Sequence, residues 1–168
     1  MARELRCFQP LEGPAAALAR AFSEAPDRWI PGAEADDAGR LLVAVHAGSL
    51  TRTVRVRFGE PWHVTRTAWR SLSWEPLGGG DETSVNRLLP ALDGELGVHE
   101  DTAGRATLVL DARYLPPGGL LGAAVDAVAL NRLARQTGQR FLEDVGVGLT
   151  RLASQRDAPQ HARPAARR

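Results

Sequence analysis

The chain has 168 residues, 43% of them apolar, and a formal net charge of +1. That length supports one domain with a real core, and the near-neutral balance argues against a dedicated nucleic-acid binder. There is no long apolar run and no signal-peptide pattern, the start MARELRCFQP being polar and interrupted. No membrane span is therefore expected, and a soluble cytoplasmic protein is. All 21 basic residues are arginine, which indicates GC-rich coding bias and lowers the information each arginine carries. Cys7 is the only cysteine, so an internal disulfide and a multi-thiolate metal site are excluded.

In chain order, residues 2–9 read as a short edge strand ending at Pro10. GPAAALARAFSEA, from Gly13 to Ala25, spaces Leu18 and Phe22 four apart and predicts a short helix. PDRWIPGAEADDAG reads as a loop whose Trp29 and Ile30 tuck under the core. Strand candidates follow. RLLVAVHA ends at Gly48. TRTVRVRFG puts Val54, Val56 and Phe58 opposite Arg55 and Arg57. HVTRTAWRSLSW alternates as one strand, with Thr65, Thr67, Trp69, Ser71 and Ser73 opposite Arg66, Ala68, Arg70 and Leu72. PLGGGDETS is a loop. VNRLLPALDGELGVHE gives one or two short strands, with Asp93-Gly94 as a turn signal. RATLVLDARYL sets Ala106, Leu108, Leu110, Ala112 and Tyr114 against Thr107, Asp111 and Arg113.

Every gap between these strands is short, which requires antiparallel neighbours. The expectation is a meander of six or seven strands, apolar on one face and wet on the other. Val54, Val56, Phe58, Leu96, Val98, Leu108 and Leu110 should face inward. Arg55, Arg57 and Arg113 should face solvent, paired with Glu95 and Asp111 across strands.

From about Gly119 to Ala153 the period turns helical. Ala123, Ala127, Leu130, Ala134, Phe141, Val145, Leu149 and Leu152 share one face; Arg132, Gln136, Gln139, Arg140 and Glu143 share the other. At 1.5 Å per residue the helix is about 50 Å long. The polar stretch after it reads as a disordered tail over 156–168 that adds nothing to stability, leaving a single domain over 1–155.

YLPPGGLLGAAVD, between the last strand and this helix, could cradle a phosphate. That reading fails because no parallel strand follows and Pro117 stands where the first fingerprint glycine belongs. Pro116-Pro117 ends the strand, and Gly118, Gly119 and Gly122 form a corner into the helix. The corner feeding an alanine-rich helix with Asp126 and Asn131-Arg132, together with Trp69-Arg70 and RLLPALDGELGV, resembles the SRPBCC or START-like superfamily, which includes polyketide cyclase/dehydrase-type proteins. The resemblance implies an α+β helix-grip fold, a curved antiparallel sheet wrapped on a long C-terminal helix, with an apolar cavity between them for a small hydrophobic molecule.

For that cavity the expected lining is Trp69, Val56, Phe58, Leu110, Tyr114, Leu130, Ala134, Gly138 and Phe141. Trp69 is expected inward with its serine and threonine neighbours, because two buried arginines would need partners. With Arg66 and Arg70 inward instead, the pocket would be cationic and select an acid or phosphate. Gly138 leaves room either for close packing or for a ligand, and the resemblance favours the ligand. His46, His63, His99 and His161 lack ligand spacing, so no metal and no cofactor are expected. Asp126 and Asp144 share a helix face but lie about 27 Å apart, too far for a catalytic pair. The function expected is binding of a small hydrophobic or amphipathic molecule. The alternatives are a polyketide cyclase- or dehydratase-like enzyme and a protein-interaction module with a collapsed cavity. The oligomeric state is left open.

Overall fold

The computed structural model describes residues 2–38, 40–48, 50–77, 91–115 and 127–157. Strand β1 (Arg3–Leu11) leads into helix α1 (Ala15–Phe22) and a single 3-10 turn at Pro26–Arg28. Strands β2 (Glu34–Ala35), β3 (Leu41–Ala47), β4 (Leu50–Phe58), β5 (Trp62–Val64), β6 (Thr67–Pro76), β7 (Ala91–Glu100) and β8 (Ala106–Leu115) follow, and helix α2 (Ala127–Asp157) comes last. The sheet is antiparallel throughout, in the order β1-β8-β7-β6-β4-β3-β2, with β5 paired to β6. Its eight strands exceed the six or seven expected because β2 and β5 are only two and three residues long.

Period-2 alternation sets the register as expected. Val54, Val56, Leu96, Val98, Leu108 and Leu110 are buried and Phe58 packs partly buried against the core, while Arg57 and Arg113 are exposed. The ion pairs differ from expectation. Asp111 pairs with Arg6 of the neighbouring edge strand, and Arg55 reaches Asp36 at 3.4 Å. No pair to Glu95 forms among the described residues.

Three boundaries differ as well. β1 runs through Pro10 to Leu11, because at a sheet edge a missing N–H removes no ladder bond. Residues 62–76 are a hairpin rather than one strand, turning at Thr65 and Arg66 with Thr65 in the left-handed region at φ 54°. Asp93-Gly94 lies in the middle of an unbroken strand. A Cβ on Gly94 would stand 2.4 Å from the Ala112 backbone, so this glycine permits close approach of β8 and makes no turn.

Helix α2 continues to Asp157, past the expected end at Ala153, and Arg156 Nη2 pairs with Glu24 Oε1 at 2.6 Å. The boundary placed at residue 155 therefore falls inside a helical turn that is tied to α1. The corner 116–126, with Asp126, and the segment 78–90 lie outside the described residues. No described helix is long and apolar enough to cross a membrane.

Candidate functional site

The inner face of the sheet carries an apolar belt that crosses it strand by strand. Val43 stands opposite Val54, Val56 opposite Trp74, Trp74 opposite Leu92, and Leu92 opposite Tyr114. All six are buried. The first half of α2 lies over this belt. Phe141 meets Trp74 edge-on, with ring centroids 5.3 Å apart. The Tyr114 hydroxyl donates to Asn131 Oδ1 at 3.3 Å, tying β8 to the helix. At about 100° per residue, Ala134 falls between Asn131 on one flank and Thr137 on the other. The smallest side chain of the stripe thus sits between two polar ones.

The other end of the grip is closed by α1. Phe22 and Trp29 are fully buried, with ring centroids 5.4 Å apart, and Trp29 meets Phe58 edge-on at 5.4 Å. Arg70 fixes this plug. It points inward from β6 and is only 5% exposed. Its Nε donates to Phe22 O (3.1 Å), its Nη2 to Ser23 O and Glu24 O (both 2.9 Å), and its Nη1 to Gly59 O (2.8 Å). The guanidinium also lies 5.8 Å from the Phe22 ring centroid. A helix C-terminus has unsatisfied carbonyls and partial negative charge, and this cation answers both. Burial pulls the Arg70 pKa below the ordinary arginine value, opposed by the charge of Glu60.

The expectation of Trp69 inward is corrected by this geometry. Ala68, Arg70, Leu72 and Trp74 point in, so Trp69 points out. There it stands opposite Gly97, and a Cβ at Gly97 would lie 2.5 Å from the indole. Backbone carbonyls are the partners that make a buried arginine tolerable. Arg66 is exposed in the hairpin turn.

Of the expected lining residues, Val56 and Phe141 adjoin Trp74, Tyr114 lies two strands further along the belt, and Ala134 is buried on α2. Phe58 belongs to the closed end beside Trp29. The side chain of Leu130 lies outside the described residues. Gly138 is a packing glycine: a Cβ there would meet Leu5 at 3.1 Å, Cys7 Sγ at 3.3 Å and Leu110 at 3.4 Å. The space expected beneath it is filled by β1 and β8. Gly138→Leu should therefore lower stability by about 1–3 kcal/mol through overpacking, although leucine is the better helix former. A urea melt with unchanged or higher stability would contradict this.

Sequence reasoning missed Trp74, Leu92, Val43 and Thr137. The parity that Trp74 shares with Leu72 was the available signal for the first.

The polar inventory of the belt is short. Thr137 is 2% exposed and its Oγ1 has no hydrogen-bond partner among the described residues. The Cys7 thiol is raised in pKa by burial, the largest cause, against the lowering charge of Arg135. His99 is exposed on the outer face, its Nδ1 2.9 Å from Thr67 Oγ1. Among the described residues no cluster of histidine, cysteine and carboxylate could hold a metal ion.

Two open grooves lie nearby. One of ≈ 560 Å³ runs between β1 and the solvent side of α2, past Leu11, Gly146 and Val147, and holds no belt residue. A second, of ≈ 410 Å³, lies at the ends of β6 and β7 on the outer face of the sheet, lined by the outward-pointing Ser73, Glu75, Asp93 and Arg113 with Trp74 and Leu92 behind them.

This architecture is an α+β helix grip, an antiparallel sheet packed on a long C-terminal helix. The Zhui aromatase/cyclase from a Streptomyces species is similar over 93% of this chain and 96% of its own, with TM-score 0.58 and 12% identity. The di-domain ARO/CYC protein BexL is similar over 97% of this chain and 51% of its own, with TM-score 0.56 and 12% identity. A protein of unknown function from Staphylococcus aureus is similar over 93% and 96%, with TM-score 0.54 and 10% identity. No protein-family model and no curated protein matches the chain. At these identities the likeness is one of fold.

Proposed function

We propose that the protein binds a small hydrophobic or amphipathic molecule between the apolar belt and the first half of α2, as a soluble protein of the cytoplasm. The observation that carries this reading is the belt itself. Large apolar side chains from strands β3, β4, β6, β7 and β8 line the inner face, and α2 carries the small, buried Ala134 three residues beyond Asn131, which binds Tyr114. A concave apolar wall with a few placed polar groups is the usual composition of a small-molecule site. The closed contact at Gly138 and the α1 plug confine the site to this end.

A second reading is favoured by two structural neighbours, an aromatase/cyclase and an ARO/CYC protein. On that reading the same wall folds a polyketide-type chain, with Tyr114 and Asn131 as its polar contacts. The belt contributes no carboxylate or histidine among the described residues, which supports binding as the simpler role.

Native mass spectrometry of the gently purified protein tests the proposal. The expected result is a bound molecule, or uptake of added naphthol, that leaves on denaturation. A protein of its own mass alone that takes up neither naphthol nor methylnaphthalene would overturn it. A mass change in the bound molecule on incubation would favour the enzymatic reading.

A further inference from the structure

We propose that Thr137 is the specificity-determining residue of this site, and that the ligand class is oxygenated: a phenol, alcohol or ketone on an apolar frame, not a bare hydrocarbon. The proposal rests on the ligand-site reading above and adds to it the chemistry of what is held.

Thr137 is an anomaly in its surroundings. A threonine inside a helix ordinarily turns its hydroxyl back to the carbonyl four residues earlier, or points it to water. Thr137 does neither: it is buried, and its Oγ1 has no hydrogen-bond partner among the described residues. Two other polar groups of the inner surface are paired: Tyr114 gives its hydroxyl to Asn131, and Arg70 donates to four backbone carbonyls. Arg52 Nε, opposite Val45 on β4, is buried without a partner as Thr137 Oγ1 is. A buried hydroxyl without a partner is unfavourable, and native proteins leave few of them. Valine would fill the same space with about the same helix propensity and no polar atom. Helix stability alone therefore gives no reason for the hydroxyl.

Its location supplies one. Thr137 lies one turn beyond Leu133, whose Cδ1 would be 3.8 Å from a Cβ at Gly48 after β3, and one turn before Phe141, which meets Trp74. By helical rotation it stands on the same flank of Ala134 as Leu133, the β3 side. Tyr114 and Asn131 stand on the opposite flank. A molecule lying over Ala134 would meet a hydroxyl on one side and a phenol–amide pair on the other. A hydroxyl both donates and accepts, so a phenolic or carbonyl oxygen can satisfy it, and a hydrocarbon cannot.

Naphthol and methylnaphthalene, matched in size, separate these cases. Their affinities for the wild type, Thr137→Val and Thr137→Ser would be measured by equilibrium dialysis, alongside melting temperatures. Wild type should prefer naphthol. Thr137→Val should lose roughly three- to tenfold in naphthol affinity, with a smaller change for methylnaphthalene. Its melting temperature should hold or rise, because an unpaired polar group is removed. Thr137→Ser should retain the preference.

Equal naphthol affinity in wild type and Thr137→Val would overturn the role of Thr137 and leave the ligand site standing. So would a clear drop in melting temperature for Thr137→Val, which would mean that the hydroxyl is already satisfied within the fold. Failure of the wild type to bind either probe would overturn the site and the role of Thr137 together.

Discussion

Arg70→Met should destabilise the protein by about 3–5 kcal/mol, the range found when one partner of a buried charged contact is removed. Methionine fills much of the volume but offers no donor. The carbonyls of Phe22, Ser23 and Gly59 would be left buried or half-buried without the cation that now binds them, and Glu24 O would keep only the Trp29 indole N–H. The end of α1 would also lose the charge that balances its dipole. Arg70→Lys should recover only part of the loss, because an ammonium cannot span four carbonyls in the plane of a guanidinium. Urea unfolding measures both variants. A loss below about 1 kcal/mol for Arg70→Met would mean that α1 does not depend on this anchor.

The second large effect is expected at Gly148. A Cβ there would lie 1.8 Å from the Trp29 carbonyl oxygen and 2.7 Å from its carbon. Backbone cannot yield as a flexible side chain can, so Gly148→Ala must push α2 away from the segment that carries Trp29. The gain in helix propensity is about 1 kcal/mol. Overpacking costs about 1–3 kcal/mol and more where backbone must shift, so a net loss of about 2 kcal/mol or more is expected. Gly146→Ala is the control. Its nearest neighbour is the tip of Leu11 at 3.0 Å, which can rotate, so it should be close to neutral. Equal melting temperatures for the two variants would show that the approach at Trp29 is not tight.

The sheet was legible where a strand alternated strictly, as in β4 and β8. β6 was misread for a physical reason. The cost of burying an arginine was weighed without the four carbonyls that offset it, and those come from α1 and the β4–β5 connection, distant in sequence. Gly94 and Gly138 show a related limit. A glycine between apolar residues reads as a turn or as open space, and only the opposing backbone or side chains reveal a close approach. The hairpin at Thr65 carried no glycine or asparagine to announce it.

One local signal was available and unread. DDAGR at 36–40 and DTAGR at 101–105 are nearly the same pentapeptide. In both, the first aspartate accepts the N–H groups two and four residues on, and the arginine Nε closes on its other oxygen at 2.8 and 2.9 Å. The repeat thus marked two turns of one construction. Both carboxylates are held below the usual aspartate range, chiefly by the arginine N–H. The candidate site was half legible. Val56, Tyr114, Ala134 and Phe141 follow from periodicity, whereas Thr137 looks like any helical threonine until its burial and missing partner are seen together.

Methyl NMR during titration with naphthol reads out directly whether a ligand is held between the belt and the first half of α2. Shifts are expected at the methyls of Val43, Val54, Val56, Leu92, Ala134 and Thr137. Leu18, Leu149 and Val147, at the closed end or on the solvent side of α2, should be unmoved. Shifts confined to Val147 and Leu11, along the outer groove, or no shifts at saturating probe, would contradict that placement.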